Sequence, residues 1–412
     1  MLPYFFIFLQ EINLKIVKNI PIAILKSGKD QSVKRYHPWI FSGAIKKIQG
    51  TVSEGDLIKV FDNKNNFLAI GHYQPSSIAI RIISFEDIIP DDGFWQRKIT
   101  RAHEHRKNLN LTGDKLSNIY RLIYAEGDDM PGLIADYYNG TLVLQFHSVG
   151  MYNIRETIVK GLKTIFTDEL KAIYDKSENT LPRKSGVGSG NEYLLGEASS
   201  SSIVKENGLA FRVNWETGQK TGFFIDQREN RKALLKYAPN KKILNLFGYT
   251  GGFSLYAMQA GAKVVHTVDS SKGAIKLANE NIELNFQGDK RHKAFPEDAF
   301  EFLDRDDFDY DLVILDPPAF AKHGNVLNNA LQGYKRLNQK AISRINAGGI
   351  IFTFSCSQVV TRENFKKSLF AAAANTGRRV KILQYLSQPA DHPINIYHPE
   401  GEYLKGFVLK VD

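Results

Sequence analysis

Only one cysteine, Cys356, occurs in the 412 residues, alongside three tryptophans and four methionines. A single thiol excludes an internal disulfide framework and any zinc site built from clustered cysteines. Long apolar runs are scarce as well. The strongest at a terminus, Met1 to Leu9, falls short of the roughly 20 residues that cross a bilayer. It also lacks the cationic start and small-residue cleavage site of a secretory signal, so the cytoplasm is the expected compartment. Neither disorder nor a fibrous chain fits 43% hydrophobic and 24% charged residues. The length exceeds one ordinary core and predicts two or three domains.

What the chain does have is positive charge, unevenly spread. Its formal net charge is +10. Sixteen Lys and Arg face nine Asp and Glu over residues 13–112, whereas the 300 residues that follow carry an excess of only four. A basic N-terminal portion suits a polyanionic partner, because neutralising phosphates supplies most non-specific nucleic-acid affinity. A solvated basic surface would give the same count.

The pattern along the chain divides it. Short β-branched runs at 22–25, 57–61, 66–73 and 78–84, broken by Gly, Asn, Asp and Pro, predict a small β domain with tight turns. Residues 94–109 have helical periodicity with a basic face. Strand signals at 119–124, 134–147 and 171–175, with a helix at 152–166, predict a compact α+β module. A stretch rich in Gly, Ser, Asn and Lys, 175–202, marks a loop or boundary. After Asn207 strands and helices alternate, which specifies a doubly wound parallel sheet. Its last two strands, 380–386 and 403–410, have no helix between them. That ending implies an antiparallel insertion and favours a methyltransferase-type Rossmann sheet over a dehydrogenase.

Chemistry is expected at the carboxyl ends of the strands, where open α/β sheets bind ligands. The first strand runs into NLFGYTGGFS (245–254), whose glycines permit a tight turn and close cofactor approach at a helix N-terminus. The second ends at Asp269, placed to accept from ribose hydroxyls. Either NAD or S-adenosylmethionine (SAM) suits those two features. The fourth strand ends in Asp316-Pro317-Pro318 followed by Ala319 and Phe320, a loop that resembles those of SAM-dependent methyltransferases acting on nucleobases. Asp298, after the third strand, falls where such enzymes contact the adenine of SAM. Cys356 leaves the fifth strand at the same edge as Asp316. A buried lone cysteine is commonly a small hydrophobe. At this edge, however, a thiolate can add to carbon-6 of a pyrimidine and make carbon-5 nucleophilic enough to take a methyl group.

Seven segments together resemble the bacterial ribosomal large-subunit RNA methyltransferase I family, cytosine carbon-5 methyltransferases with an N-terminal PUA domain. They are KSGKDQSVKRYHPWIFSGAI (26–45), YAEGDDMPGLIADYY (124–138), GQKTGFFIDQREN (218–230), NLFGYTGGFS, LDPPAF (315–320), TFSCS (353–357) and ADHPINIYHPEGEYLKGF (390–407). The resemblance implies a PUA barrel over 13–92, a linker helix and central α+β domain over 93–205, and a seven-stranded Rossmann-like SAM-dependent methyltransferase domain over 206–412. Residues 1–12 fall outside it, and 176–202 matches nothing in it.

By position, the resemblance makes Cys356 the nucleophile and Asp316 the group that orients cytosine. It lines the SAM pocket with Phe247, Gly248, Gly251, Asp269, Asp298, Asp316 and Pro317. Lys220 and Arg228 are expected to reach cofactor or RNA phosphate, and Lys34, Arg35 and Trp39, in a stretch that also holds His37, to bind RNA. Many RNA carbon-5 methyltransferases carry a second cysteine beside the D-P-P loop to release product. This chain has none, so another base must take the carbon-5 proton; Asp391 and His392 are candidates by topology. The implied partner is large-subunit ribosomal RNA, with no membrane and no metal, and a homodimer is left open. Three other readings stand beside this one: an exocyclic-amine methyltransferase on guanine or adenine, a non-catalytic PUA-type RNA-binding assembly factor, and, least favoured, a nicotinamide dehydrogenase. The modified nucleotide is not legible.

Overall fold

In the computed structural model, residues 20–182, 186, 190–198, 201–320 and 326–412 are described. The apolar N-terminal segment and much of the polar stretch before Ser201 lie outside them. The chain divides into two compact units. One runs to Thr112, resumes at Tyr120–Ser200 and takes in Asp391–Pro399; the other holds Gly113–Ile119, Ser201–Ala390 and Glu400–Asp412.

The first unit contains two sheets. The strands β1 (Ile22–Leu25), β2 (Trp39–Phe41), β3 (Ile45–Gln49), β4 (Leu57–Phe61), β5 (Phe67–Tyr73) and β6 (Ile78–Ser84) form a six-stranded sheet ordered β2-β6-β5-β4-β1-β3. Its alternating inward residues, among them Ile58, Val60, Ile80 and Ile82, make one core. β2 and β3 lie in stretches too short and polar to carry a period-two signal. The second sheet, ordered β11-β10-β9-β8-β7, joins β7 (Ile119–Tyr124), β8 (Leu133–Tyr138), β9 (Thr141–Phe146), β10 (Ala172–Asp175) and β11 (Glu192–Leu195). Asn139 and Gly140 take φ of 48° and 97° in the β8–β9 turn, the left-handed pair that a two-residue hairpin demands. Helix Asp92–Asn108 begins where the Asp91 carboxylate caps the Phe94 N–H, and it buries Trp95, Ile99 and Ala102.

The second unit opens on a hairpin, β12 (Ser201–Glu206) and β13 (Leu209–Asn214), which starts five residues before the boundary read from sequence. Asn281 and Asn285 of helix Lys272–Asn285 accept from the Arg212 and Ala210 N–H groups and so hold the hairpin to that helix. The sheet beyond it contains β14 (Lys242–Leu246), β15 (Val264–Val268), β16 (His292–Phe295), β17 (Leu312–Leu315), β18 (Gly349–Ser355), β19 (Val380–Ser387) and β20 (Lys405–Val411). Their order is β16-β15-β14-β17-β18-β20-β19. The first five are parallel, and β20 is antiparallel to both its neighbours. The seven strands and the antiparallel ending are those expected from the sequence. The strand order reverses between β14 and β17, which fixes the ligand crevice at their carboxyl ends.

Candidate active site

The chain turns sharply after β14. Phe247, Tyr249 and Gly251 take φ of 58°, 45° and 78° before helix Gly252–Gln259 begins. Two non-glycine residues in the left-handed region need support from their surroundings. Asp269 supplies it, because its carboxylate accepts from the Tyr249 N–H at 3.0 Å and from the Ser271 N–H at 2.9 Å. Asn281 adds a bond to the Thr250 carbonyl. A Cβ on Gly248 would sit 2.4 Å from the Thr267 methyl, so only glycine lets this loop close on β15. Asp298 caps helix Ala299–Leu303 by accepting from the Phe300 and Glu301 N–H groups, and it is exposed. Together these features form a preshaped backbone cradle with two carboxylates at successive strand ends. A glycine-rich turn beside acceptor carboxylates fits the amino-acid, ribose and adenine parts of SAM, whose hydroxyls and amines donate.

The next two strand ends hold a carboxyl, Asp316, and the lone thiol, Cys356. Pro317 is buried, and the Phe320 ring packs 4.6 Å from that of Tyr334, which anchors the D-P-P loop on helix Leu327–Arg344. The Cys356 thiol, just past β18, lies 3.8 Å from the Pro317 carbonyl. Asp316 accepts from the Gln227 side chain at 3.0 Å. Burial first, and the Asp226 carboxylate second, push the Asp316 carboxyl up to about 7. Burial, Asp316 and Asp226 together push the Cys356 thiol up to about 12, against a smaller lowering effect of Lys220. No motif announces a thiol displaced from its ordinary range. Two acidic neighbours in a desolvated pocket displace it.

Two family descriptions match the chain: an S-adenosylmethionine-dependent methyltransferase over residues 121–394 and a PUA-like domain over 23–85. Ribosomal RNA large subunit methyltransferase I of Pseudoalteromonas atlantica is 39% identical over 397 residues, covering 94% of this chain and 98% of its own. The Salmonella arizonae protein of the same name is 36% identical over 400 residues, covering 95% and 98%. The chain belongs to the ribosomal RNA large subunit methyltransferase I family. SAM is therefore its cofactor. Two solved structures share the fold. One, described as a SAM-dependent methyltransferase from Streptococcus mutans, superposes with a TM-score of 0.82 at 23% identity, covering 95% of this chain and 100% of its own. The other, described as a methyltransferase complexed with SAH, gives 0.83 at 24%, covering 95% and 100%.

Against this family background the remaining sequence candidates separate. Lys220 is exposed, takes a left-handed φ of 53° and acts electrostatically on Cys356. Arg228, expected to reach cofactor or RNA phosphate, is 3% exposed and lies 3.5 Å from Glu229. Lys34 is bound by Asp30 at 2.5 Å and lies 3.6 Å from Asp62, whereas Arg35 is exposed. The Trp39 indole N–H donates to Glu126 at 2.8 Å, and its ring meets His398 at 4.3 Å. Asp391 and His392 are buried in the first unit: the Asp391 carboxylate accepts from the Arg121 N–H and meets His392 Nδ1 at 3.1 Å.

Sequence reasoning passed over several residues. Gln227 and Asp226 stand in the GQKTGFFIDQREN segment without a motif to mark them. Tyr403, which donates to Asp226 at 2.6 Å, and Lys405 arrive from the far end of the chain. Tyr36, Phe41 and Tyr397, 52%, 47% and 50% exposed in the first unit, are open aromatic faces around the HPWIF stretch.

Proposed function

We propose that this chain methylates carbon-5 of a cytosine in large-subunit ribosomal RNA, with Cys356 as nucleophile and Asp316 as acid. The curated relatives carry the name of that ribosomal RNA activity. The observation that carries the carbon-5 chemistry is the pairing of a thiol and a raised carboxyl at adjacent strand ends, with Cys356 Sγ 3.8 Å from the Pro317 carbonyl. A carboxyl near 7 is about half protonated at neutral pH and so can donate to cytosine N3.

As the Cys356 sulfur bonds to carbon-6, the carbon-5–carbon-6 π pair moves toward N3, and Asp316 yields its proton there. SAM, when bound, supplies the methyl group that the enriched carbon-5 accepts. A base then takes the carbon-5 proton, the bonding pair re-forms the carbon-5–carbon-6 double bond and expels the thiolate, and N3 returns its proton to Asp316. Asp316 and Cys356 thus act on opposite sides of one ring, which an exocyclic-amine methyltransferase would not need. Asp269, Asp298 and the 247–251 loop would hold the cofactor without taking part in the proton steps.

The test is Cys356→Ala with RNA carrying 5-fluorocytosine at the target. The wild type should be trapped as a covalent adduct that mass spectrometry places on Cys356, because fluorine is not eliminated as a proton is. The Ala variant should bind SAM and RNA, form no adduct and lose essentially all turnover. Sustained methylation by the Ala variant would overturn the covalent route and favour the exocyclic-amine reading.

A further inference from the structure

Lys405 opens β20, opposite Ser355 of β18 in the antiparallel register. It is 1% exposed, among the largest fully buried side chains. Its Nζ donates to the Ser357 carbonyl at 2.7 Å, so it grips the residue that follows Cys356. An ammonium has three donors, and this is the only hydrogen bond it makes among the described residues. No carboxylate there pairs with it; nearby Glu402 is instead held by Arg362 at 2.8 Å. A buried, unpaired cation is costly and persists where an anion forms in function. The group beside it that gains negative charge in the reaction is the Cys356 sulfur.

We infer that Lys405 is the positioning residue of the nucleophile: it fixes the strand end that carries Cys356 and holds a positive charge against the thiolate. The inference rests on Cys356 as nucleophile. It assigns the thiol proton to solvent, while the ammonium keeps its own. In the free protein the thiol faces Asp316, Asp226 and Lys220, and Tyr334 stands near it; Lys405 in turn faces Glu402 and Arg362. Two of the nearest charges to the thiol are thus negative, and both oppose ionisation. A cation on the opposite strand, bonded to the residue after Cys356 and within electrostatic range of the sulfur, answers them. Burial lowers the Lys405 ammonium to about 8, and the neighbouring thiolate works to keep its proton on.

Because Cys356 is the only cysteine, iodoacetamide reads this one thiol without any need for activity. Alkylation follows the thiolate fraction, and a one-unit rise in thiol pKa slows it about tenfold at fixed pH. Lys405→Met should alkylate at least about tenfold more slowly than wild type at pH 7.5, and Lys405→Arg should restore most of the rate. In the wild type the logarithm of the rate should rise with unit slope at low pH and flatten as Lys405 loses its charge near 8. Asp316 titrates in an adjoining range, so the profile is also taken in Asp316→Asn, where the bend near pH 8 should remain. Equal rates in Lys405→Met and wild type overturn the inference. So does a straight unit slope through pH 9 in Asp316→Asn, a result that needs no Lys405 variant to fold. Failure of the covalent reading would appear separately, as methylation by Cys356→Ala with the alkylation results unchanged.

Discussion

Two polar clusters, one in each unit, set acidic and basic side chains to opposite ends. In the first unit Arg106, 0% exposed, forks onto Asp128 at 2.5 and 2.7 Å and donates to the Arg121 and Asp391 carbonyls. Arg121 forks onto Asp136 at 2.7 and 2.8 Å, and Asp128 also accepts from the Tyr124 N–H. Each of these two arginines has a carboxylate matched to it in planar, bidentate geometry. In the second unit Asp316 has an amide from Gln227 and a like-charged neighbour in Asp226, while Lys405 has one carbonyl. A saturated cluster has no proton to give and no charge to spend, so it holds structure. An undersatisfied one carries displaced proton affinities, which is what chemistry at neutral pH requires. Asp391, a proton acceptor suggested by topology, joins the first cluster through its carbonyl to Arg106 and its carboxylate to the Arg121 N–H, with His392 beside it.

The largest expected effect breaks the first cluster. Asp128→Ala leaves the buried Arg106 guanidinium without its counter-charge and should cost about 3–5 kcal/mol of stability, read by urea unfolding. A loss under about 1 kcal/mol would mean that the network is not the support described.

Asp316→Asn should do the reverse. Its carboxyl is raised in the fold, so its contribution to stability is present below pH 4 and is lost as pH rises through about 7. Asparagine removes that loss. The variant should match the wild type at pH 4, gain stability between pH 4 and 7, and be more stable by about 1–3 kcal/mol at pH 8. Methyl transfer should fall at the same time. Thermal melts at the three pH values decide it, and destabilisation at pH 8 would place Asp316 in the saturated class.

Most of the sheet was legible because strands such as LVIL at 312–315 are apolar runs, several of them closed by Gly, Asp or Pro at the ligand edge. Asp316 and Cys356 were legible for the same reason, since strand ends in such a sheet converge. The short strands β2, β3 and β11 were not, because three to five residues, in β3 and β11 with polar members, are too few to carry a period. Gln227, Asp226, Tyr403 and Lys405 were hidden by distance along the chain. Lys405 in particular reads as a strand residue that should face solvent; only the antiparallel register of β20 beside β18 turns it inward next to Cys356. Arg228 shows the converse, a basic residue in a recognisable segment whose burial no local pattern announces.

The smallest expected effect carries the comparison to the surface. Lys34 and Arg35 are adjacent cations in the basic β domain, equal by sequence. Lys34 is engaged by two carboxylates, and its bond holds the Asp30 carboxyl below the usual range. No carboxylate pairs with Arg35 among the described residues, and it is exposed. Before Lys34 can neutralise a phosphate it must give up an ion pair already made, so its net counterion release is small. Arg35 gives up only water. Arg35→Ala should therefore lower the slope of log affinity against log salt by about 0.7 for single-stranded RNA, the share of one phosphate contact. Lys34→Ala should change it by less than half as much, with SAM affinity constant in both. Titrations of ribosomal RNA fragments between 50 and 200 mM salt, roughly the range in which such slopes are resolved, compare the two. Equal slopes for the two variants would mean that an existing ion pair does not keep a surface cation from RNA.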